Sequence, residues 1–159
     1  MSGARPEIRT DEKPLVGAGI YVGQSRAVRD AGIEVPSGFT HQMKEEGYAI
    51  RTIRDGLVLA GNEDGPYSGT FFAVYDLLER LGCRWFFPGP YGEVVPKRET
   101  LAIDAVNVTE RPDFRFRNIW YSGWMPVSED QAKQFAEWQV RNRMTSLKGI
   151  SLPGDGYIT

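Results

Sequence analysis

Between Gly69 and Pro96, the chain of 159 residues carries an amphipathic helix pattern, a glycine stop and an aromatic strand pattern, joined by very few residues. Large apolar residues recur there at helical spacing and predict an amphipathic helix with a buried stripe. They are Phe71, Val74, Tyr75, Leu78 and Leu81. Gly82 suits the position just past the end of this helix. The aromatic run Arg84–Phe87 then predicts a strand, which Pro88-Gly89-Pro90 ends. Because so little chain joins the helix to the strand, we expect them to bury one another in a mixed α and β core.

Upstream, the chain predicts a further helix and three strands. Leu15–Val22 is short, apolar and β-branched, which is typical of a buried strand. About two helical turns follow over Ser25–Gly32, closed by the glycine. Gly47–Gly61 predicts a hairpin, because its side chains alternate and Asp55-Gly56 is a favoured hairpin turn. The second arm of the hairpin, Leu57–Ala60, is an unbroken apolar run and predicts a strand covered on both faces.

Downstream, the pattern changes at Thr109–Asp113, a polar stretch with a proline that we interpret as a domain boundary. Leu101–Val108 before it and Phe114–Tyr121 after it both alternate as strands. Ser128–Gln131 is a capping-box pattern and predicts the start of a helix, whereas the glycine-rich Ser146–Thr159 indicates no defined element. We therefore divide the chain into a flexible terminus (1–13), a domain (14–109) and a third segment (110–159).

Composition argues against several classes of function. Lys and Arg total 19 and Asp and Glu total 21, so a net charge of −2 gives no electrostatic basis for binding nucleic acid or an acidic membrane. No apolar run is long enough to span a membrane, and the polar start lacks a signal-peptide core. The compartment is therefore left open, with the cytoplasm as the default and a secreted or periplasmic parent protein as the alternative. One cysteine, Cys83, and one histidine, His41, argue against a disulfide, a cysteine-based zinc site and a Ser-His-Asp triad. We expect Cys83 to be a small buried residue, and we expect neither a metal nor a cofactor.

Three glycines, Gly61, Gly65 and Gly69, lie between a strand and a helix start, where nucleotide-binding proteins hold phosphates. Their spacing matches neither a Walker loop nor the dinucleotide fingerprint, and Glu63 and Asp64 would repel a phosphate. We therefore interpret the glycines as a tight turn and keep nucleotide binding as a minor hypothesis.

A group of aromatic and basic residues after the boundary is the part of the sequence most suggestive of sugar binding. Its members are Arg115, Arg117, Trp120, Tyr121 and Trp124. Aromatic faces stack on sugars, and guanidinium groups donate paired hydrogen bonds. The alternative is that the tryptophans pack between domains and the arginines form surface ion pairs. We take Arg117, Trp120 and Trp124 as the candidate substrate-binding residues.

Carboxylates are numerous in the sequence, but none forms a convincing acid–base pair. Glycosidase chemistry needs two such groups facing one another across a cleft. Most of the acidic residues fall in predicted turns or on the polar side of a helix, where a solvated surface role is expected. Glu93 differs because it lies in a rigid aromatic turn, and it is the one carboxylate worth locating.

Several short segments, in a fixed order between residues 46 and 96, resemble the N-terminal domain shared by family 67 alpha-glucuronidases and family 20 beta-N-acetylhexosaminidases. They include Glu46-Gly-Tyr-Ala-Ile50, Leu57-Val-Leu-Ala-Gly61, Leu81-Gly-Cys-Arg-Trp-Phe86 and Gly92-Glu-Val-Val-Pro96. The run Arg84-Trp-Phe-Phe-Pro-Gly89 is nearer to the alpha-glucuronidase-like group.

This resemblance implies an α+β fold: a small mixed or antiparallel sheet with two helices packed on one face, followed by a partial first βα unit of a TIM barrel. It makes residues 14–109 the accessory domain and residues 110–159 the truncated start of the catalytic barrel. In the hexosaminidases an arginine on the first barrel strand binds sugar hydroxyls, and Arg117 occupies the matching place.

The catalytic acids of these families lie on later barrel strands, so no catalytic residue carries over to this chain. We therefore expect a non-catalytic fragment of a carbohydrate-processing glycoside hydrolase, inactive alone, whose parent meets its carbohydrate substrate through the downstream barrel. A barrel strand without its neighbours is an exposed edge, so we also expect that the barrel-start segment can pair with a second copy as a homo-oligomer. The alternative is a free-standing carbohydrate-binding or assembly module.

Overall fold

The structure is a computed structural model that describes residues 3, 5–10, 17–36, 46–63, 69–114, 117, 119, 128–144, 151–152 and 156–157. The strands are β1 (Gly19–Val22), β2 (Tyr48–Ile53), β3 (Gly56–Gly61), β4 (Arg84–Trp85), β5 (Glu93–Val94), β6 (Asn107–Glu110), β7 (Ser151–Leu152) and β8 (Gly156–Tyr157). The helices are α1 (Arg26–Asp30), α2 (Gly69–Arg80) and α3 (Glu129–Arg141), and a 3₁₀ turn covers Pro90–Gly92.

The main sheet has four strands in the order β1-β3-β2-β6. The β1 and β3 strands are parallel, whereas β2 is antiparallel to both β3 and β6. The predicted hairpin is confirmed, with Ile53 opposite Gly56 across its turn. Two smaller antiparallel pairs, β4 with β5 and β7 with β8, lie outside this sheet. A mixed sheet combined with three helices confirms the predicted α+β class.

The central strand β3 is covered on both faces, as its apolar run predicts. Leu57 and Leu59 point into a core formed with β2 and α2, while Val58 and Ala60 point into a second cluster that includes Val28 of α1. All four side chains are buried. Alternation along one strand therefore supplies both cores.

The helices are divided between the two faces of the sheet. One face carries α2 and α3, because Val140 of α3 packs against the cluster that α2 makes with the sheet. The first helix, α1, was expected beside α2 but lies on the opposite face. The physical reason is the apolar run in β3, whose second row of side chains needs a cover of its own.

The buried face of α2 differs from the predicted stripe. The residues that pack inward are Gly69, Phe72, Ala73, Asp76 and Leu77. Leu81, just past the helix, is also buried, so this member of the predicted stripe is confirmed. In contrast, Phe71 is 60% exposed, and Val74, Tyr75 and Leu78 are only partly buried. The helix thus carries two apolar stripes, and the sheet covers the one that contains a carboxylate.

Three strand predictions need correction. The first strand was expected to be buried, yet β1 is an edge strand in which Ile20 and Val22 are more than half exposed. The aromatic strand is reduced to the two residues of β4, and Phe86 and Phe87 after it are exposed. The strand predicted over 101–108 begins only at Asn107, which lies opposite Arg51 at the end of the β2–β6 ladder.

Two further predictions are confirmed, and a third lies mostly outside the described residues. The side chain of Ser128 accepts a hydrogen bond from the backbone N–H of Gln131, which confirms the predicted helix cap of α3. Cys83 is buried, as expected. Most of the strand predicted over 114–121 lies outside the described residues, and Phe114, Arg117 and Ile119 belong to no strand.

The glycines between β3 and α2 serve backbone packing where the structure describes them. A Cβ atom on Gly61 would lie 2.0 Å from the carbonyl carbon of Gly69, and a Cβ atom on Gly69 would lie 2.5 Å from the carbonyl oxygen of Gly47. Such distances exclude any side chain, because backbone cannot move aside. This contact supports the tight-turn interpretation of Gly61 and Gly69, while Gly65 lies outside the described residues.

The two stripes of α2 predict a clear contrast in stability. Leu77→Ala removes a side chain that is 5% exposed, and we expect it to lower the free energy of unfolding by about 3 kcal/mol. Phe71→Ala should change it by about 0.5 kcal/mol or less, because that side chain is already largely in water. Urea denaturation of both variants tests this, and equal losses would contradict the observed orientation of the helix.

Candidate functional site

A polar cleft with a volume of about 400 Å³ lies where four parts of the chain meet. The start of β2, the second half of α2, the segment after β6 and the end of α3 all contribute. Its walls include Glu46, Tyr48, Phe72, Asp76, Arg80, Glu110, Arg111, Asp113, Phe114, Arg117, Asn142 and Arg143. Small-molecule sites usually fall in this size range, so the cleft is the candidate site.

Arg117, the predicted sugar-binding arginine, lies at the back of the cleft and is held on several sides. Its Nε donates to the carbonyl of Arg143 at 2.8 Å, and its Nη1 donates to the carbonyl of Phe114 at 2.6 Å. Its Nη2 forms an ion pair with the buried carboxylate of Glu46. The guanidinium carbon also lies 5.9 Å from the centre of the Phe72 ring, within cation–π range. Arg117 therefore fastens the segment after β6 to both the sheet and α3.

A second polar group forms the wall that α2 contributes. The hydroxyl of Tyr48 donates to Asp76 Oδ2 at 3.2 Å, and Arg80 Nε donates to Asp76 Oδ1 at 3.1 Å. Burial raises the pKa of Tyr48 well above its usual range, and the nearby Asp76 carboxylate raises it further. Tyr48 is therefore a neutral hydrogen-bond donor at physiological pH, and it satisfies a carboxylate on the buried face of the helix.

Arg143 closes the cleft from the end of α3 in a backbone conformation that usually needs glycine. Its φ is +54°, and the bonds from Arg143 N to Val140 O and from Met144 N to Gln139 O form a Schellman helix end. A side chain in this left-handed region costs about 1–2 kcal/mol. An ion pair from Arg143 Nη1 to Glu79 Oε2 of α2, 2.7 Å long, offsets that cost.

The end of α3 is also tied to β4. Trp138 Nε1 and Asn142 Nδ2 both donate to the carbonyl of Trp85, at 2.9 Å and 3.0 Å. Glu93, the carboxylate that the sequence singled out, pairs with Arg141 at 3.0 Å and does not line the cleft. In this structure Glu93 therefore forms a surface ion pair that joins β5 to α3.

The structure brings only part of the predicted site together. Arg117 lies in the cleft, whereas Trp120 and Trp124 lie outside the described residues. Sequence reasoning missed Tyr48, Asp76 and Arg143. Asp76 carried a usable signal, since it lies four residues after Phe72 and four before Arg80, so it shares one helix face with both.

A second, apolar groove of about 610 Å³ lies beside the exposed stripe of α2. Its lining consists of Val22, Glu63, Thr70, Phe71, Val74, Tyr75 and Leu78. Val22 of β1, the edge strand among the described strands, and the exposed stripe of α2 both line it. The groove thus leaves room for further apolar side chains.

Comparison with known proteins found no matching family model, no matching curated protein and no matching solved structure. Among the described residues there is no cluster of three or more His, Cys, Asp or Glu side chains that could hold a metal ion. Within the same residues, no helix is long and apolar enough to cross a membrane.

The raised pKa of Tyr48 predicts how stability depends on pH. The folded state holds the phenol proton more tightly than the unfolded chain, whose tyrosine titrates near 10.0. The resulting stabilisation is complete below that pH and is lost as the pH rises above it. Tyr48→Phe should lower the free energy of unfolding by about 1 kcal/mol at neutral pH and flatten its fall in alkali.

Urea denaturation between neutral and alkaline pH measures both effects. Tyr91→Phe is the matched control, because it removes the hydroxyl of a tyrosine that is 93% exposed. A Tyr48→Phe protein with the wild-type slope would contradict the burial of this phenol.

The ion pair between Arg117 and Glu46 predicts a large effect of a single truncation. Arg117→Ala removes one partner of a buried carboxylate, and we expect a loss of about 3 kcal/mol in the free energy of unfolding. Glu46→Gln in the same chain should recover part of this loss by removing the buried charge. Arg51→Ala, which breaks an exposed bond to Thr109, serves as the control and should cost less than about 1 kcal/mol. Equal losses for Arg117→Ala and Arg51→Ala would contradict the anchoring role of Arg117.

Proposed function

We propose that this chain is the accessory N-terminal α/β domain of a carbohydrate-processing glycoside hydrolase of the alpha-glucuronidase-like kind. In this role it holds the first βα unit of a downstream TIM barrel in place, and it does not hydrolyse glycosides itself. The proposal starts from the ordered segments between residues 46 and 96 that resemble such domains.

The observation that carries the proposal is the set of ties between the α/β domain and the segment assigned to the barrel start. Arg117 binds Glu46, Arg143 binds Glu79, and Trp138 and Asn142 both bind the carbonyl of Trp85. These contacts hold the C-terminal end of α3 and the residues just after it, and hydrogen bonds to charged groups are among the stronger ones in proteins. A barrel continuing from α3 would inherit that fixed orientation.

Exposed apolar residues give further support. Phe71, Phe86, Phe87 and Tyr91 are all more than half exposed. Aromatic side chains are enriched at surfaces that another protein covers. A domain that supports a larger catalytic body needs such a face.

The test compares this chain with the product of the complete reading frame. We expect the reading frame to encode further βα units, and we expect aryl glucuronides or aryl N-acetylhexosaminides to be hydrolysed only by the longer product. In that product Glu79→Ala should lower thermal stability and activity together, because it releases α3, whereas Arg51→Ala should change neither. Robust turnover by this chain alone would overturn the proposal, as would a reading frame without further βα units.

A second candidate, a free-standing assembly module, is favoured by the apolar groove beside α2. It predicts that the chain forms a stable dimer in solution and that Phe71→Glu returns it to a monomer. Light scattering after size-exclusion chromatography of the wild-type chain and of Phe71→Glu distinguishes the two cases. Under the accessory role, pairing runs through the barrel-start segment, so Phe71→Glu should leave the oligomeric state unchanged.

A further inference from the structure

Among the described residues, the charges that line the polar cleft cancel one another. Four arginines and four carboxylates of this set face it: Arg80, Arg111, Arg117 and Arg143 against Glu46, Asp76, Glu110 and Asp113. A site for a phosphate or a metal ion would show an excess of one sign, because desolvating a charged ligand must be offset by opposite charge. This balanced lining instead favours a neutral ligand that can both donate and accept hydrogen bonds.

The inner wall of the cleft is already ordered. Arg117 is fixed by Glu46 and by two backbone carbonyls, and Asp76 is fixed by Tyr48 and Arg80. Groups held in place before binding lose little conformational entropy when a ligand arrives. The back of the cleft therefore forms a pre-organised polar surface, and new contacts must come chiefly from the lip.

The lip carries an aromatic ring and, next to it in the chain, two groups of opposite charge. Phe114 is 72% exposed, and Arg111 and Asp113 immediately before it are exposed as well. Within the described part of the chain, neither Arg111 nor Asp113 forms a side-chain hydrogen bond or ion pair. The intervening Pro112 has a fixed φ, which limits the freedom of this short segment.

We propose that this cleft binds a neutral sugar unit. One apolar face of the sugar ring stacks on Phe114, while neighbouring hydroxyls donate to Asp113 and accept from Arg111. A sugar fits because it combines a C–H face for an aromatic ring with hydroxyls that are both donors and acceptors. The inference concerns the cleft of this chain alone and does not depend on the accessory role.

The experiment measures binding of glucose, xylose, glucuronic acid and inorganic phosphate to the intact chain by isothermal titration calorimetry. We expect saturable binding of at least one neutral sugar that is insensitive to salt, because no net charge is neutralised. Phe114→Ala and Arg111→Ala should each weaken it by about tenfold, which corresponds to ~1.4 kcal/mol. The matched controls are Phe86→Ala and Arg54→Ala, which change an exposed phenylalanine and an exposed arginine outside the cleft.

Each outcome bears on the proposal. The proposal is overturned when neither glucose nor xylose gives saturable binding. It is also overturned when glucuronic acid or phosphate binds more tightly than the neutral sugars and the binding is sensitive to salt. Equal losses in the control and cleft variants also overturn it. Thermal melting of every variant separates a lost contact from a lost fold, because Phe114 and Arg111 are exposed and their truncation should leave the melting temperature unchanged. A failure here would leave the accessory role intact, since that role is tested through the longer reading frame.

Discussion

The burial of β3 on both of its faces is the constraint on which the rest of the structure depends. On one face of β3, Leu57 and Leu59 pack against α2. On the other face, Val58 and Ala60 pack against α1. The close approach of Gly61 to Gly69 then fixes where α2 begins. This position of α2 brings Asp76 within hydrogen-bond distance of the hydroxyl of Tyr48, and these two side chains form part of the wall of the polar cleft.

The sequence was sufficient for those parts of the fold that depend on local chemistry. The hairpin around Asp55-Gly56, the cap at Ser128 and the strand Leu57–Ala60 each depend on a few adjacent residues, and all three are present. The buried face of α2 could not be predicted in the same way, because apolar periodicity favoured the stripe that contains Phe71. The sheet instead covers a face with Asp76, whose carboxylate is satisfied by Tyr48 from a distant strand.

The candidate site shows the same limit. Arg117 was predicted from its residue type and neighbours, and it does lie in the cleft. Its contacts with Glu46 and Arg143 join residues far apart in the sequence, so no local pattern could reveal them. The position of Arg143 in the cleft could not be predicted for another reason. Its backbone is left-handed, a conformation that is ordinarily predicted only for glycine or asparagine.

The edge position of β1 has a consequence for how this protein behaves in practice. The strand Gly19-Ile-Tyr-Val22 contains no proline and no charged residue, the features that usually prevent a second chain from pairing with an edge strand. Its outer backbone groups lie beside the exposed side chains of Ile20 and Val22. We therefore expect the isolated chain to aggregate through this edge as its concentration rises. Its solubility at high protein concentration then measures whether another segment or partner covers β1.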